Sequence, residues 1–183
     1  GLLGELAERQ AKPGGAAFHL NEPEVYALWA ALGLRHGAFA YVAADGDLAA
    51  WAAGATRLAD GEGRLVLKLV GRDILHKTEA GGVRICKLAS GSEADQLAAQ
   101  GRDLLAGAQS RGVHGVEGLL AAAFVPHVAN RPGQEALLTL RQDPAFGPCV
   151  VVGVGGTLTE WHGASATLVL PAAGLTTAAV EGA

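Results

Sequence analysis

The sequence predicts a globular protein of mixed helix and strand folded as two lobes, and three observations carry that reading. Half of the 183 residues are hydrophobic and only 5% aromatic, with Ala and Gly dominant, which is the profile of a packed chain rather than a disordered one. Helical periodicities crowd the first half. The second half is a succession of short apolar runs separated by turns such as Asp143-Pro144 and Gly147-Pro148. The change of character divides the chain into a lobe at 18–112 and a second at 113–183, with 1–17 as a short helix and linker trailing from a preceding module.

Each element has its own signal. Asn21 is a good N-cap, with Pro23 in the first turn and Glu24 three residues on, the arrangement of a capping box. Val25, Leu28, Trp29 and Leu32 follow at helical spacing until Gly33 stops the helix. A short strand is expected at 39–42, a helix at 47–58, a strand at 64–70 and a returning strand at 83–88. Ser92, Glu93 and Asp95 open a long amphipathic helix that reaches about residue 110. Residues 116–125, 135–141, 149–154 and 166–170 read as strands.

Composition also narrows the function. A net charge of −4 and a pI near 5.8 argue against a nucleic-acid-binding face. No apolar run approaches the roughly 20 residues of a membrane helix. The opening Gly-Leu-Leu-Gly-Glu lacks the basic start and long apolar core of a signal peptide. Cys86 and Cys149 lie far apart inside apolar runs and read as small buried hydrophobes, without metal-site spacing. A reducing cytoplasm is the expected compartment.

The chemistry concentrates in residues 63–85. Lys68 is the one lysine in this strand and the one charge in its apolar stretch 65–70, on the face shared by Val66 and Val70 and opposite Leu67 and Leu69. Either it faces solvent from an edge strand, or its long side chain reaches an anion. The following loop holds Asp73, His76, Lys77, Thr78 and Glu79 and closes on Gly81 and Gly82. A polar loop ending in Gly-Gly can bring backbone amides against phosphate, and it can equally be a plain turn. His76 can carry a phosphoryl group, act as a base, or simply sit on the surface. The Gly153-Val154-Gly155-Gly156 cluster permits close approach of a ligand or marks a bulge. Glu135 and Glu160 are isolated carboxylates, each able to hold a metal or a ribose or to be solvated. His114, His127 and His162 read as structural or surface residues. Neither a GxGxxG fingerprint nor a P-loop is present.

Val66-Leu-Lys-Leu-Val-Gly-Arg-Asp-Ile-Leu-His-Lys-Thr-Glu-Ala-Gly-Gly-Val83 resembles the ATP-grasp domain of the NDP-forming acyl-CoA synthetases, the family of ADP-forming acetate-CoA ligases. Three further stretches resemble other signatures of that family: Leu20-Asn-Glu-Pro-Glu-Val25, residues 133–148 and residues 153–160. The four occur in the family's order, and the resemblance covers roughly residues 18–171.

That resemblance implies an α+β ATP-grasp fold, two α+β lobes with a nucleotide cleft between them, its C-terminal part incomplete. Lys68 would contact ATP phosphates, and the loop around Gly81 and Gly82 would fold over them. His76 matches a histidine that relays a phosphoryl group in relatives. The hinge at 122–125 would read adenine through its backbone, which places Phe124 and Val125 beside the nucleotide, with Glu135 lining the cleft. ATP and magnesium are the implied cofactors, with Glu160 as the candidate metal ligand. CoA-binding and CoA-ligase modules are the implied partners, and oligomeric assembly is left open. The chain departs from the family at Ala122, Ala164 and Leu168, and the family's last strand would lie beyond its final residue. An alternative therefore stands beside a ligase: a degenerate nucleotide-sensing regulatory domain of a multidomain protein such as a protein acetyltransferase.

Overall fold

The computed structural model describes residues 20–31, 33–72, 74, 81–126, 135–143, 145–155 and 165–169. The first helix, α1, is Glu22–Ala31. Its capping box closes in both directions: Glu24 N donates to Asn21 Oδ1 at 3.1 Å, and Asn21 N donates to Glu24 Oε2 at 3.0 Å. Gly33, at φ +74°, ends it. The apolar spacing of Val25, Leu28 and Trp29 does not bury this helix, and none of its described residues is buried. Tyr26 instead stacks on His36, ring centres 5.1 Å apart, and leans on Phe39.

Strand β1, Phe39–Ala43, leads to helix α2, Leu48–Ala55. The Asp47 carboxylate caps α2 by accepting from the amides of Ala49 and Ala50. The last three residues expected in α2 tighten into a 3₁₀ turn, Thr56–Leu58, because Ala59 N donates to Thr56 O three residues back. Next come β2, Arg64–Val70, β3, Val83–Lys87, and the long helix α3, Glu93–Ser110. Strand β4, Gly118–Ala123, completes a four-stranded antiparallel sheet of order β1-β4-β2-β3.

The two faces of this sheet differ, as the alternation in β2 requires. Leu65, Leu67 and Leu69 are wholly buried and join Leu119, Ala121 and Cys86 in one core with Ala52, Leu97 and Leu104 of the helices. Burying each such leucine stabilises the fold by about 1.5–3 kcal/mol. On the other face a row crosses the four strands: Tyr41, Leu120, Lys68 and Val83.

Two compact units divide the chain, Gly1–Phe124 and Val125–Ala183. Strand β4, read from the sequence as part of the second lobe, pairs with both β1 and β2 and belongs to the first unit. A division at 112/113 would cut the first sheet away from its central strand. The second unit holds a three-stranded antiparallel sheet of order β5-β6-β7, from β5, Ala136–Asp143, β6, Gly147–Val154, and β7, Ser165–Val169. Its first hairpin turns on the Asp143 carboxylate, which accepts from Ala145 N and Phe146 N, and on Gly147 at φ +79°. Cys149, like Cys86, is buried as a small hydrophobe, and burial pushes the Cys86 thiol up to about 11.

Candidate functional site

The row containing Lys68 is where the chemistry gathers. Lys68 lies mid-strand, opposite Leu120 on one side and Val83 on the other. Its ammonium does not face bulk water alone. Lys68 Nζ donates to Glu22 Oε1 of α1 at 2.6 Å, with Lys68 26% exposed and Glu22 16%. The same carboxylate oxygen accepts the Tyr26 hydroxyl at 2.8 Å. Burial, and then the Glu22 charge, push the Tyr26 phenol well above its usual value, so it stays a donor.

A second polar group sits where β2 ends and β4 begins. The Arg72 guanidinium pairs with Glu24 of α1 and with Glu117 Oε1, the latter at 2.7 Å. Asn21 Nδ2 donates to Glu117 Oε2 at 2.7 Å. Burial alone would raise the Glu117 carboxyl, but the hydrogen bonds from Asn21 and Arg72 outweigh it and hold it below the usual range. The start of α1 is thus tied to the sheet by two cations, Lys68 and Arg72, and by Asn21.

The glycine pair comes to the same place through hairpin register. Leu69 N donates to Gly82 O at 2.7 Å, directly beside the Lys68–Val83 pair. Gly81 adopts φ +62°, which only glycine takes without strain, and its carbonyl faces the Arg111 guanidinium at 3.4 Å. Residues 13 and 15 positions apart in the chain therefore become neighbours.

Phe124 lies toward the other end of β2, where the Arg64 guanidinium sits 4.6 Å over its ring. From Arg64 to Lys68 is four strand residues, roughly 13 Å. Val125 and Glu135 fall in the second unit. Val125 is 67% exposed, and the Glu135 carbonyl accepts from Gly155 N at 2.8 Å. Gly155 has a local reason of its own, because a Cβ there would crowd the Ala136 backbone at 2.8–3.1 Å. His76 and Glu160 lie outside the described residues, as do Asp73, Lys77, Thr78, Glu79, His127 and His162. His114 is exposed, as expected.

Sequence reasoning missed Glu22, Arg72 and Glu117. Glu22 reads from the sequence only as the start of the helix, and Glu24 only as the capping-box partner of Asn21. Their pairing across 46 and 48 residues has no local signature.

On the sheet face away from the core, the paired lysine of β2 thus lies next to the glycine turn that opens β3. The profile of the ATP-grasp domain matches residues 14–181, and the chain belongs to that family. Among curated relatives, the ADP-forming acetate-CoA ligase I of Archaeoglobus fulgidus is 32% identical over 97 residues, 52% of this chain and 13% of the ligase. The ADP-forming acetate-CoA ligase of Methanocaldococcus jannaschii is 31% identical over 100 residues, 54% of this chain and 13% of that one. The chain thus matches about an eighth of either ligase. A solved structure of the dinucleotide-forming acetyl-coenzyme A synthetase 1 of Ca. Korarchaeum cryptofilum superimposes with a TM-score of 0.68. That match has 22% identity and covers 98% of this chain and 69% of that one, which establishes the common fold. It holds coenzyme A and Ca-AMPCP, and a second structure of that enzyme holds Mg-AMPPCP with a phosphohistidine segment pointing towards the nucleotide-binding site.

Proposed function

We propose that this chain is the ATP-binding part of an ADP-forming acyl-CoA synthetase and takes part in moving a phosphoryl group between ATP and an acyl phosphate. The observation that carries the reading is the placement of Lys68: a charged, oriented ammonium, still partly exposed, on the sheet face away from the core and next to Gly82. The overall reaction joins a carboxylic acid, CoA and ATP to give acyl-CoA, ADP and phosphate. Breaking the terminal phosphoanhydride bond leaves ADP and transfers phosphoryl to a histidine nitrogen, from which it passes to the acyl carboxylate. Thiol attack on the acyl phosphate then expels inorganic phosphate.

In this reading Lys68 neutralises charge on the β- and γ-phosphates, and the amides around Gly81 and Gly82 offer further donors. His76 is the phosphoryl carrier, as the phosphohistidine segment of the Korarchaeum enzyme suggests. Phe124, Val125 and Glu135 take the adenosine end. Magnesium supplies charge neutralisation when bound, with Glu160 as its proposed ligand. Among the described residues no group of three or more His, Cys, Asp or Glu side chains gathers as a metal site, and Glu160 lies outside them. The remaining modules for CoA and acyl transfer reside elsewhere in the enzyme, and a cytoplasmic setting suits these substrates. Among the described residues no helix is long and apolar enough to cross a membrane.

One observation favours the regulatory alternative. Leu168, where the family resemblance calls for arginine, is an apolar side chain 44% exposed on β7. Titrating ATP with and without magnesium, followed by exposure to γ-labelled ATP, tests both readings. Magnesium-strengthened binding and acid-labile, base-stable label that disappears in His76→Ala support the synthetase. Magnesium-indifferent binding without label supports the sensor and overturns the catalytic role.

A further inference from the structure

We infer that Glu22 is a positioning residue for nucleotide binding: it holds the Lys68 ammonium over the sheet where phosphates meet it. This rests on the reading of Lys68 as a phosphate contact. A lysine side chain carries considerable rotamer freedom, and an unsupported one on an open sheet face spreads its charge over many positions. An ammonium has three donors, and one here is committed to Glu22 Oε1 at 2.6 Å while the side chain stays partly exposed. Glu22 is itself fixed, since Tyr26 donates to the same oxygen at 2.8 Å and the Tyr26 ring packs in a mutual cluster with His36 and Phe39.

The helix that carries Glu22 is placed from its other side too. Arg72 holds Glu24, and Asn21 bonds both Glu24 and Glu117, so the first turn of α1 is registered against β2 and β4. None of the described α1 residues is buried. Polar contacts therefore set much of its position, and Glu22 transmits that position to Lys68. The chemistry is that of a strand lysine and a helix glutamate that must be paired before phosphates are gripped, a device protein kinases use on an unrelated fold. Glu22 touches no substrate and acts through Lys68.

The test compares ATP with adenosine, which lacks phosphates, by ligand-detected NMR titration of the wild-type chain and of Glu22→Ala, Glu22→Gln and Lys68→Ala. Glu22→Ala is expected to weaken ATP roughly five- to twentyfold while leaving adenosine unchanged, because only the phosphate contact loses its fixed cation. Glu22→Gln keeps an oxygen acceptor for both Lys68 and Tyr26 and is expected to stay within about twofold of wild type. Tighter ATP binding by Glu22→Ala would make Glu22 a competing counter-ion and overturn the inference. Unchanged ATP binding, or equal losses of ATP and adenosine, would overturn it as well. Unchanged ATP affinity in Lys68→Ala would instead remove the phosphate reading itself, whatever the Glu22 variants do.

Discussion

Glu117 shows how much of the first unit rests on a few side chains. It accepts from Asn21 and from Arg72, through both the guanidinium and the Arg72 backbone amide. These bonds hold its carboxyl below the ordinary 4.5, so its contribution is complete above that pH and is lost as pH falls through the depressed value. Thermal melts from about pH 6 down to about pH 3 should show a steeper acid loss for wild type than for Glu117→Gln. Parallel curves would show that the pairing contributes nothing. Gly118 is the steric counterpart: a Cβ there would overlap the Val42 carbonyl oxygen and press on the Tyr41 ring. Gly118→Val is expected to destabilise by about 3 kcal/mol or more, read as a lowered denaturant midpoint.

At the scale of elements, most boundaries were legible because local signals agree with the tertiary fold. Strand β2 begins and ends where its apolar run does, and its alternation correctly separates Leu65, Leu67 and Leu69 from Lys68. Helix α3 starts after Ser92 as its capping residues suggest. What failed was long-range. Nothing in Gly118–Ala123 says that this strand lies between β1 and β2 rather than in the second sheet, since strand order depends on partners 48 to 83 residues away. The first-turn acids Glu22 and Glu24 likewise hid this use, because reaching Lys68 and Arg72 requires the folded sheet. Of the candidate site, Lys68 and the glycine pair were readable as residue types in a pattern, whereas the ion pairs that orient the lysine were not. Asn21→Ala removes both the cap and the bond to Glu117 and should cost about 1–3 kcal/mol in equilibrium unfolding. Leu67→Ala, which empties part of the core beneath Lys68, should cost about 2–5 kcal/mol.

For the whole molecule, the proposed ATP binding would be linked to folding. ATP at about one hundred times its Kd should stabilise the native state by about 2.7 kcal/mol, visible as a raised Tm that adenosine does not reproduce at equal concentration. The match covers about 13% of each archaeal ligase. In the proposed function the Lys68 ammonium meets ATP phosphate while Glu22 holds it in place. A crystal structure of the chain with magnesium and a non-hydrolysable ATP analogue measures this directly. Lys68 Nζ within about 3.2 Å of a phosphate oxygen, still bonded to Glu22, is the expected result. A nucleotide bound elsewhere, with Lys68 paired to Glu22 alone, would contradict it.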